Sequence, residues 1–343
     1  MSLKFISFKE VMPKLYKVFP GWIKEEYCCI TSYSGAGKTN FAKFLGVIHS
    51  YRYCKKHNIP LKILYFALEE SVEKFWITIQ SEMLNYKYNK SVTYYQYIGA
   101  HEGLTDDIKK KFAEFDDIIN DMKKYIHVYN VSNPTGMYKA CKEELLKLGT
   151  LVKNEEDFKP STFTYHNPDT MVLVIVDHVS LITPEKHDGV MQTQHQAMGY
   201  WSKNYAMKEL RDLYKCVIIN VQQQGVSEDN KTNQKNGLTE PQQNGLGNNK
   251  ELLQDYSTML SLYNPFKYGG ETVYKGMDFS KFKRNFRTLS VLKHRNGEAD
   301  YTIPLFFRGS VSYFEEIELR NGLITAETQE KYYNIIKNDK FDN

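Results

Sequence analysis

Apolar residues in this chain fall into short unbroken runs, separated by longer stretches in which they recur every three or four positions. The runs Tyr27-Cys28-Cys29-Ile30, Lys62–Ala67, Met171–Val176 and Cys216–Val221 show no regular alternation with polar residues. Such runs predict strands buried on both faces, as in the middle of a parallel sheet. Phe41, Phe44, Leu45 and Ile48 stand at helical spacing and predict a helix from Thr39 to about Tyr53, closed by Asn58-Ile59-Pro60. Phe75, Ile79 and Met83 predict a helix starting near Ser71, and further helical patterns cover 105–124, 137–148 and 191–214. Weaker strands are expected at Ile126–Tyr129, Thr258–Tyr263 and Arg287–Leu292, with a closing antiparallel hairpin at Thr302–Phe307 and Ser312–Phe314. Residues 1–20 read as a lead-in with a helix around Lys9–Val18, and 326–343 as a frayed helix and tail. Strands alternating with helices mean an α/β domain, mostly parallel and flanked by helices, over 21–325. Within it, 149–169 reads as an inserted hairpin or loop. Residues 225–250 carry almost no apolar side chains and read as a mobile loop.

Composition narrows the class. The chain has 343 residues, of which 25% are charged and 41% hydrophobic, which suits an ordinary globular protein. No stretch approaches the ~18 apolar residues of a membrane span. The start, Met1-Ser2-Leu3-Lys4-Phe5, lacks a signal-peptide apolar region, so a cytoplasmic location without membrane partners is expected. A net charge of +4 does not mark a polyanion binder by itself, so such a partner needs a local patch. Five cysteines without a C-x-x-C pair support neither a zinc site nor a disulfide framework.

The chemistry concentrates after the first buried run, at Ser32-Tyr33-Ser34-Gly35-Ala36-Gly37-Lys38-Thr39. Strand, glycine turn and helix in that order form a phosphate-binding loop of a P-loop NTPase. Gly35 and Gly37 let backbone N–H groups close round the β- and γ-phosphates, and the cradle Ser34, Gly35, Ala36, Gly37, Lys38, Thr39 and Asn40 is expected to bind ATP. Lys38 places a point charge on the terminal phosphates, and the Thr39 hydroxyl is a Mg²⁺ ligand. One departure is visible: Ser32 stands where the pattern usually has its first glycine.

Ligands of such sheets sit at the carboxyl ends of the strands. Polar groups cap four of the predicted strands: the phosphate loop, Glu69, Asp177 and Gln222. Asp177 ends the most apolar strand, as a carboxylate holding Mg²⁺ through water should. The next residue is His178 rather than an acid, so the base that polarises the attacking water must come from elsewhere. Glu69 is the candidate, with Glu70 expected to cap the following helix, although the two roles can be exchanged. Gln222 is positioned to donate to the γ-phosphate, with Gln223 and Gln224 leaving the register open by one.

These segments together carry a family resemblance. Leu68-Glu69-Glu70 resembles the S-L-E-M segment of DnaB-type replicative helicases, and Val174–Ile182 their I-D-Y-L-Q-L-I. Val221-Gln222-Gln223 resembles S-Q-L, Glu251–Asp255 resembles I-E-Q-D-A, and Lys293-His294-Arg295-Asn296-Gly297 resembles K-x-R-N-G. The matches run in the family's order from about Pro20 to Phe314. The resemblance implies a RecA-like motor assembled as a homo-oligomer, usually a hexameric ring, with nucleotide between subunits. Lys293 and Arg295 would then act in trans on the neighbour's γ-phosphate. The polar loop would face single-stranded DNA through Lys235, Gly245, Gly247, Asn248, Asn249 and Lys250, a sequence-independent and salt-sensitive mode of binding.

Two departures shape the expectation. The phosphate loop lies so near the start that the family's N-terminal primase-binding domain has no room, and 149–169 has no counterpart. Both suit a minimal, phage-encoded helicase acting in a bacterial cytoplasm, with a primase or helicase loader as partner. Two other functions fit the same residues: a recombinase or KaiC-like ATPase that does not unwind, and a non-catalytic DNA-binding scaffold that keeps the pocket for assembly.

Overall fold

The structure is a computed structural model that describes residues 4–153, 160–187, 189–225, 239–246, 252–268, 270 and 272–337, with the side chains of 153, 160 and 161 excepted. Its centre is a nine-stranded sheet. In chain order the strands are β1 Tyr27–Ser32, β2 Leu61–Ala67, β3 Ile126–Tyr129, β4 Met171–Asp177 and β5 Val217–Gln223. They continue with β6 Thr258–Tyr263, β7 Phe286–His294, β8 Tyr301–Arg308 and β9 Tyr313–Glu316. Across the sheet they lie in the order β9-β8-β7-β6-β1-β5-β4-β2-β3. The strands from β6 to β3 in that order are parallel, and β7, β8 and β9 add an antiparallel edge. The unbroken apolar runs form the strands of the middle, because side chains there must be apolar on both faces.

Both faces are covered. On one, Ile30, Ile175 and Ile219 pack against Phe41, Leu45 and Phe75. On the other, Cys29, Val174 and Ile218 pack against Trp201, Ala206 and Leu210. The helix after the phosphate loop runs unbroken through Lys38–Phe41, Ala42–His49 and Ser50–His57, its middle wound in the wider π register. Gly46 lets it press onto the sheet: a Cβ there would stand 2.9 Å from Ile175 Cδ1. The helix ends at Asn58, whose φ of 52° stops it as a left-handed cap.

Several boundaries differ from the pattern reading. The long helix expected over 105–124 is two, Asp106–Ala113 and Asp116–Tyr125. Phe112 and Phe115 both bury in the core, and the Phe115 N–H turns back to the Phe112 carbonyl at 2.9 Å. Asp116 and Asp117 then open the second helix, where its dipole favours acids. The helix expected from Met191 starts at Gln194, because Thr193 and Gln196 form a reciprocal cap. In the lead-in, Pro13–Val18 alone is helical, and Ile6–Ser7 pairs with Gly21–Trp22. Those residues belong to the core: Phe8, Phe19 and Trp22 meet edge to face at 5.0–5.6 Å. Gly149–Lys153 and Pro160–Tyr165 pair as an antiparallel hairpin outside the main sheet. Among the described residues no helix is long and apolar enough to cross a membrane.

Candidate active site

Parallel strands in register bring their carboxyl ends to one edge. Asp177 lies beside Ala67 on one side and Val221 on the other, and Ser32 lies beside Gln223. The phosphate loop, the turn after β2 and the end of β4 therefore share one rim. Leu68 N–H closes onto the Asp177 carbonyl at 2.8 Å and fixes the start of the Glu69 turn.

The loop is shaped by its glycines and by what lies behind it. Gly35 and Gly37 have φ of 80° and 102°. At Gly37 a Cβ would also meet Phe307 Cζ at 2.9 Å, so this position excludes side chains twice over. Ser32, in contrast, still lies within β1 and has no positive φ, so a Cβ is tolerated. Its buried hydroxyl donates to the Tyr33 carbonyl at 2.7 Å and its carbonyl accepts from Gln224 N–H at 2.9 Å. That accounts for the missing glycine.

Asp177 is almost fully buried. Its Oδ1 accepts from the Thr39 hydroxyl at 3.1 Å and its Oδ2 from the Tyr65 hydroxyl at 2.7 Å. Burial pushes its carboxyl up to about 6, against the pull of the Tyr65 hydroxyl and the Lys43 ammonium. Burial likewise lowers the Lys38 ammonium, opposed by Asp177 and Glu69. A buried carboxylate beside a hydroxyl, with few protein ligands, fits Mg²⁺, which keeps most of its shell for phosphate and water oxygens. No cluster of three His, Cys, Asp or Glu side chains that could hold a metal by themselves exists among the described residues.

The raised carboxyl links stability to pH. The ordinary aspartate value is 3.8 and the folded one about 6, so the cost of burying this charge is absent below the first and complete above the second. Stability is thus lost as pH rises through that window, by about 3 kcal/mol at order of magnitude. Asp177→Asn is expected to raise the melting temperature of the nucleotide-free protein at pH 7.5, by an increment that shrinks towards pH 4.5. The same variant should lose Mg²⁺-dependent nucleotide binding. Melting scans across that pH range check the sign, and an increment independent of pH would refute it.

Glu69 and Glu70 separate cleanly. Glu69 is exposed at the rim, with His178 Nε2 at 3.8 Å from its Oε2. Burial keeps that imidazole below its ordinary value. Glu70 does not cap the following helix, as expected from the sequence. Ser71 does so by accepting from Lys74 N–H, and Glu70 is buried against the ammonium of Lys43 at 2.5 Å. A cavity of ≈ 470 Å³ opens beside the loop, lined by Thr39, Asn40, Glu69, Glu70, Tyr94 and Ser310 among others. It is large enough for the nucleoside part of a nucleotide.

Other expected residues lie elsewhere. Gln222 faces away from the loop: its amide donates to the Leu246 carbonyl at 3.3 Å and its oxygen accepts from the Tyr256 hydroxyl at 3.1 Å. Side chains alternate along a strand, and Val221 packs with the phosphate-loop helix, so the half-buried Gln223 occupies the loop side. Gly245 is buried against Gln224 and donates its N–H to the Gln242 carbonyl, so it offers nothing to DNA in this arrangement. Lys235, Gly247, Asn248, Asn249 and Lys250 lie outside the described residues.

Lys293 and Arg295 stand at the opposite rim. His294 pairs with Thr258, which pairs with Cys28 at the amino end of β1. That level is four residues below Ser32, or ~13 Å along the strands. Lys293 donates to the Leu253 carbonyl at 2.5 Å and Arg295 to that of Gln254. Neither reaches the phosphate loop of its own chain. The sequence reading missed three residues that do reach the site: Tyr65, Lys43 and Arg287. Arg287 donates to the carbonyls of Ala36 and Gly35, at 3.0 and 3.4 Å.

No family model and no curated protein matches the sequence. Solved structures do. A helicase ATPase domain, solved as a separate domain, superposes with a TM-score of 0.62 at 16% identity over 90% of both chains. A DnaB-like replicative helicase, described with its interactions with primase, superposes at 0.62 and 15% identity. The match covers 89% of this chain and spans 62% of that one. The KaiC-like protein PH0186 from Pyrococcus horikoshii OT3 gives 0.50 at 9% identity, over 92% and 100% of the two chains. What these likenesses share with this chain is the fold, a RecA-like sheet with an antiparallel edge.

Proposed function

We propose that this chain is an ATP-driven motor that moves on single-stranded DNA, hydrolysing nucleotide at subunit interfaces of a hexameric ring. One observation carries the hydrolytic part. The Thr39–Asp177 pair stands at the phosphate loop, with Glu69 exposed at the end of the strand next to Asp177. In this reading the loop N–H groups and Lys38 hold the β- and γ-phosphates, and Thr39 and Asp177 hold Mg²⁺. Bound Mg²⁺ supplies charge neutralisation on the phosphoryl oxygens. Glu69 accepts a hydrogen bond from the attacking water and orients it in line, since little covalent chemistry is left for the protein beyond positioning. Gln223, rather than Gln222, is the side chain placed to sense the γ-phosphate.

The ring part rests on Lys293 and Arg295 standing on the rim away from their own loop, where a neighbouring subunit's nucleotide can meet them. A head-to-tail contact of this kind closes into a ring when its rotation permits. The DNA-facing part rests on the polar composition of 225–250, which follows β5 directly. A primase or helicase loader belongs to the same proposal, by likeness to the helicase described with primase.

The KaiC-like neighbour, matched over its whole length, gives a second reading: the same ATPase without unwinding. A forked duplex separates the two. The motor is expected to show turnover stimulated by single-stranded DNA together with strand displacement. Stimulated turnover without displacement favours the second reading, and no turnover with ATP still bound favours a scaffold.

A further inference from the structure

The geometry points to Arg287 as the residue that aims the phosphate loop, gripping the loop's carbonyls from behind so that its amides face the triphosphate. This inference rests on the nucleotide-binding reading above.

Arg287 enters at the start of β7 and is 5% exposed. Among the described residues it has no carboxylate partner. Its guanidinium donates instead to carbonyls: Nε to Ala36 at 3.0 Å, one terminal nitrogen to Gly35 at 3.4 Å, and the other to Arg284 and Phe286 at 2.6 and 2.7 Å. Its plane lies over the Phe307 ring, 4.9 Å from the centroid, and Phe307 stacks on Phe314 at 4.4 Å. The same Phe307 closes the space a Gly37 side chain would need. Loop, guanidinium and ring therefore form one packed unit on the antiparallel edge.

A planar trans peptide points its C=O and N–H in opposite directions. The Gly35 carbonyl shares its plane with the Ala36 N–H, and the Ala36 carbonyl with the Gly37 N–H. Holding both carbonyls on the inner side turns those two amides outward, toward the anion the loop is built to receive. The fork geometry matters, because a guanidinium can hold two acceptors at fixed angles and an ammonium cannot. The charge matters as well. Burial without an acid lowers the guanidinium to about 9, so the apo site carries a cation short of counter-charge. A triphosphate on the other side of the loop provides it.

Arg287 does not touch the nucleotide in this scheme; it is a positioning residue. Its removal should therefore weaken binding of any nucleotide with a β-phosphate and leave the chemical step alone. Arg287→Met in the full chain is expected to raise the KM for ATP and the Kd for Mg·ADP in parallel. The change should be about tenfold to hundredfold, the effect of losing one or two charge-assisted hydrogen bonds. Turnover at saturation should stay within about threefold of the parent, since binding lost equally in ground and transition states leaves kcat unchanged. Arg287→Lys keeps the charge without the fork and should fall between parent and Met variant. If the Met variant does not fold, as judged by its melting transition without nucleotide, the Lys variant decides. A reduced kcat with unmoved KM would mean a merely structural role and overturn the inference, as would unchanged nucleotide affinity in the folded variants. Parent protein that binds neither ATP nor ADP would overturn the underlying reading instead.

Discussion

Arg295→Ala is expected to lower ATP turnover by about 10³–10⁵-fold, the effect of removing an arginine that neutralises transition-state charge in phosphoryl transfer. Nucleotide affinity should change little, because the loop, Lys38 and the Thr39–Asp177 pair all belong to the other subunit's half of the site. Any action of Arg295 on nucleotide has to be in trans. Arg295 leans on the Gln254 carbonyl at the amino rim of the sheet, and its own phosphate loop is at the carboxyl rim. Subunit mixing gives the sharpest check. An Arg295→Ala subunit still has Glu69, and a Glu69→Gln subunit still has Arg295. When equal amounts exchange into one ring, roughly a quarter of the head-to-tail interfaces combine the two intact halves, so activity should return. An inert mixture whose subunits demonstrably exchange would remove Arg295 from the trans site.

Glu69→Gln is the second large effect, about 10²–10⁴-fold in turnover, as for loss of a general base. The substitution is nearly isosteric at an exposed position whose ion-pair neighbour is His178 at 3.8 Å, so fold and ATP binding should survive. The measurement is single-turnover hydrolysis with binding followed in parallel. Wild-type turnover would free Glu69 from the role. Glu70 is a poor substitute, because its charge is already committed to Lys43 inside the protein.

Much of this site was legible because its signals are local. A strand, a glycine turn and a helix occupy adjacent positions, so Gly35, Gly37, Lys38 and Thr39 announce themselves together. Asp177 is visible because an acid directly after an apolar run must sit at a strand end. What stayed hidden depends on distance or on parity. Arg287 lies far along the chain from the loop it holds, and within its own segment it reads as the first residue of a strand. Lys43 continues a helical pattern as a surface cation would, and only the fold reveals Glu70 facing it. The Gln222 assignment failed by one residue, because in a strand one residue is the whole difference between the two faces. The break at Glu114–Phe115 escaped because Phe112 and Phe115 suit a continuous amphipathic helix as well as a turn that buries both.

The position of β1 in the sheet has a kinetic consequence. This strand, carrying the phosphate loop, leaves the ribosome early, yet both its neighbours come late: β5 begins at Val217 and β6 at Thr258. Until they arrive, the apolar strand Tyr27–Ser32 has two unpaired edges and no layer to close it. Loop-closure entropy makes such pairings slow, and open edges invite other chains. Nascent molecules of this protein are therefore most exposed to misassembly through most of their synthesis, and chains truncated before β6 should collect in aggregates rather than as folded fragments.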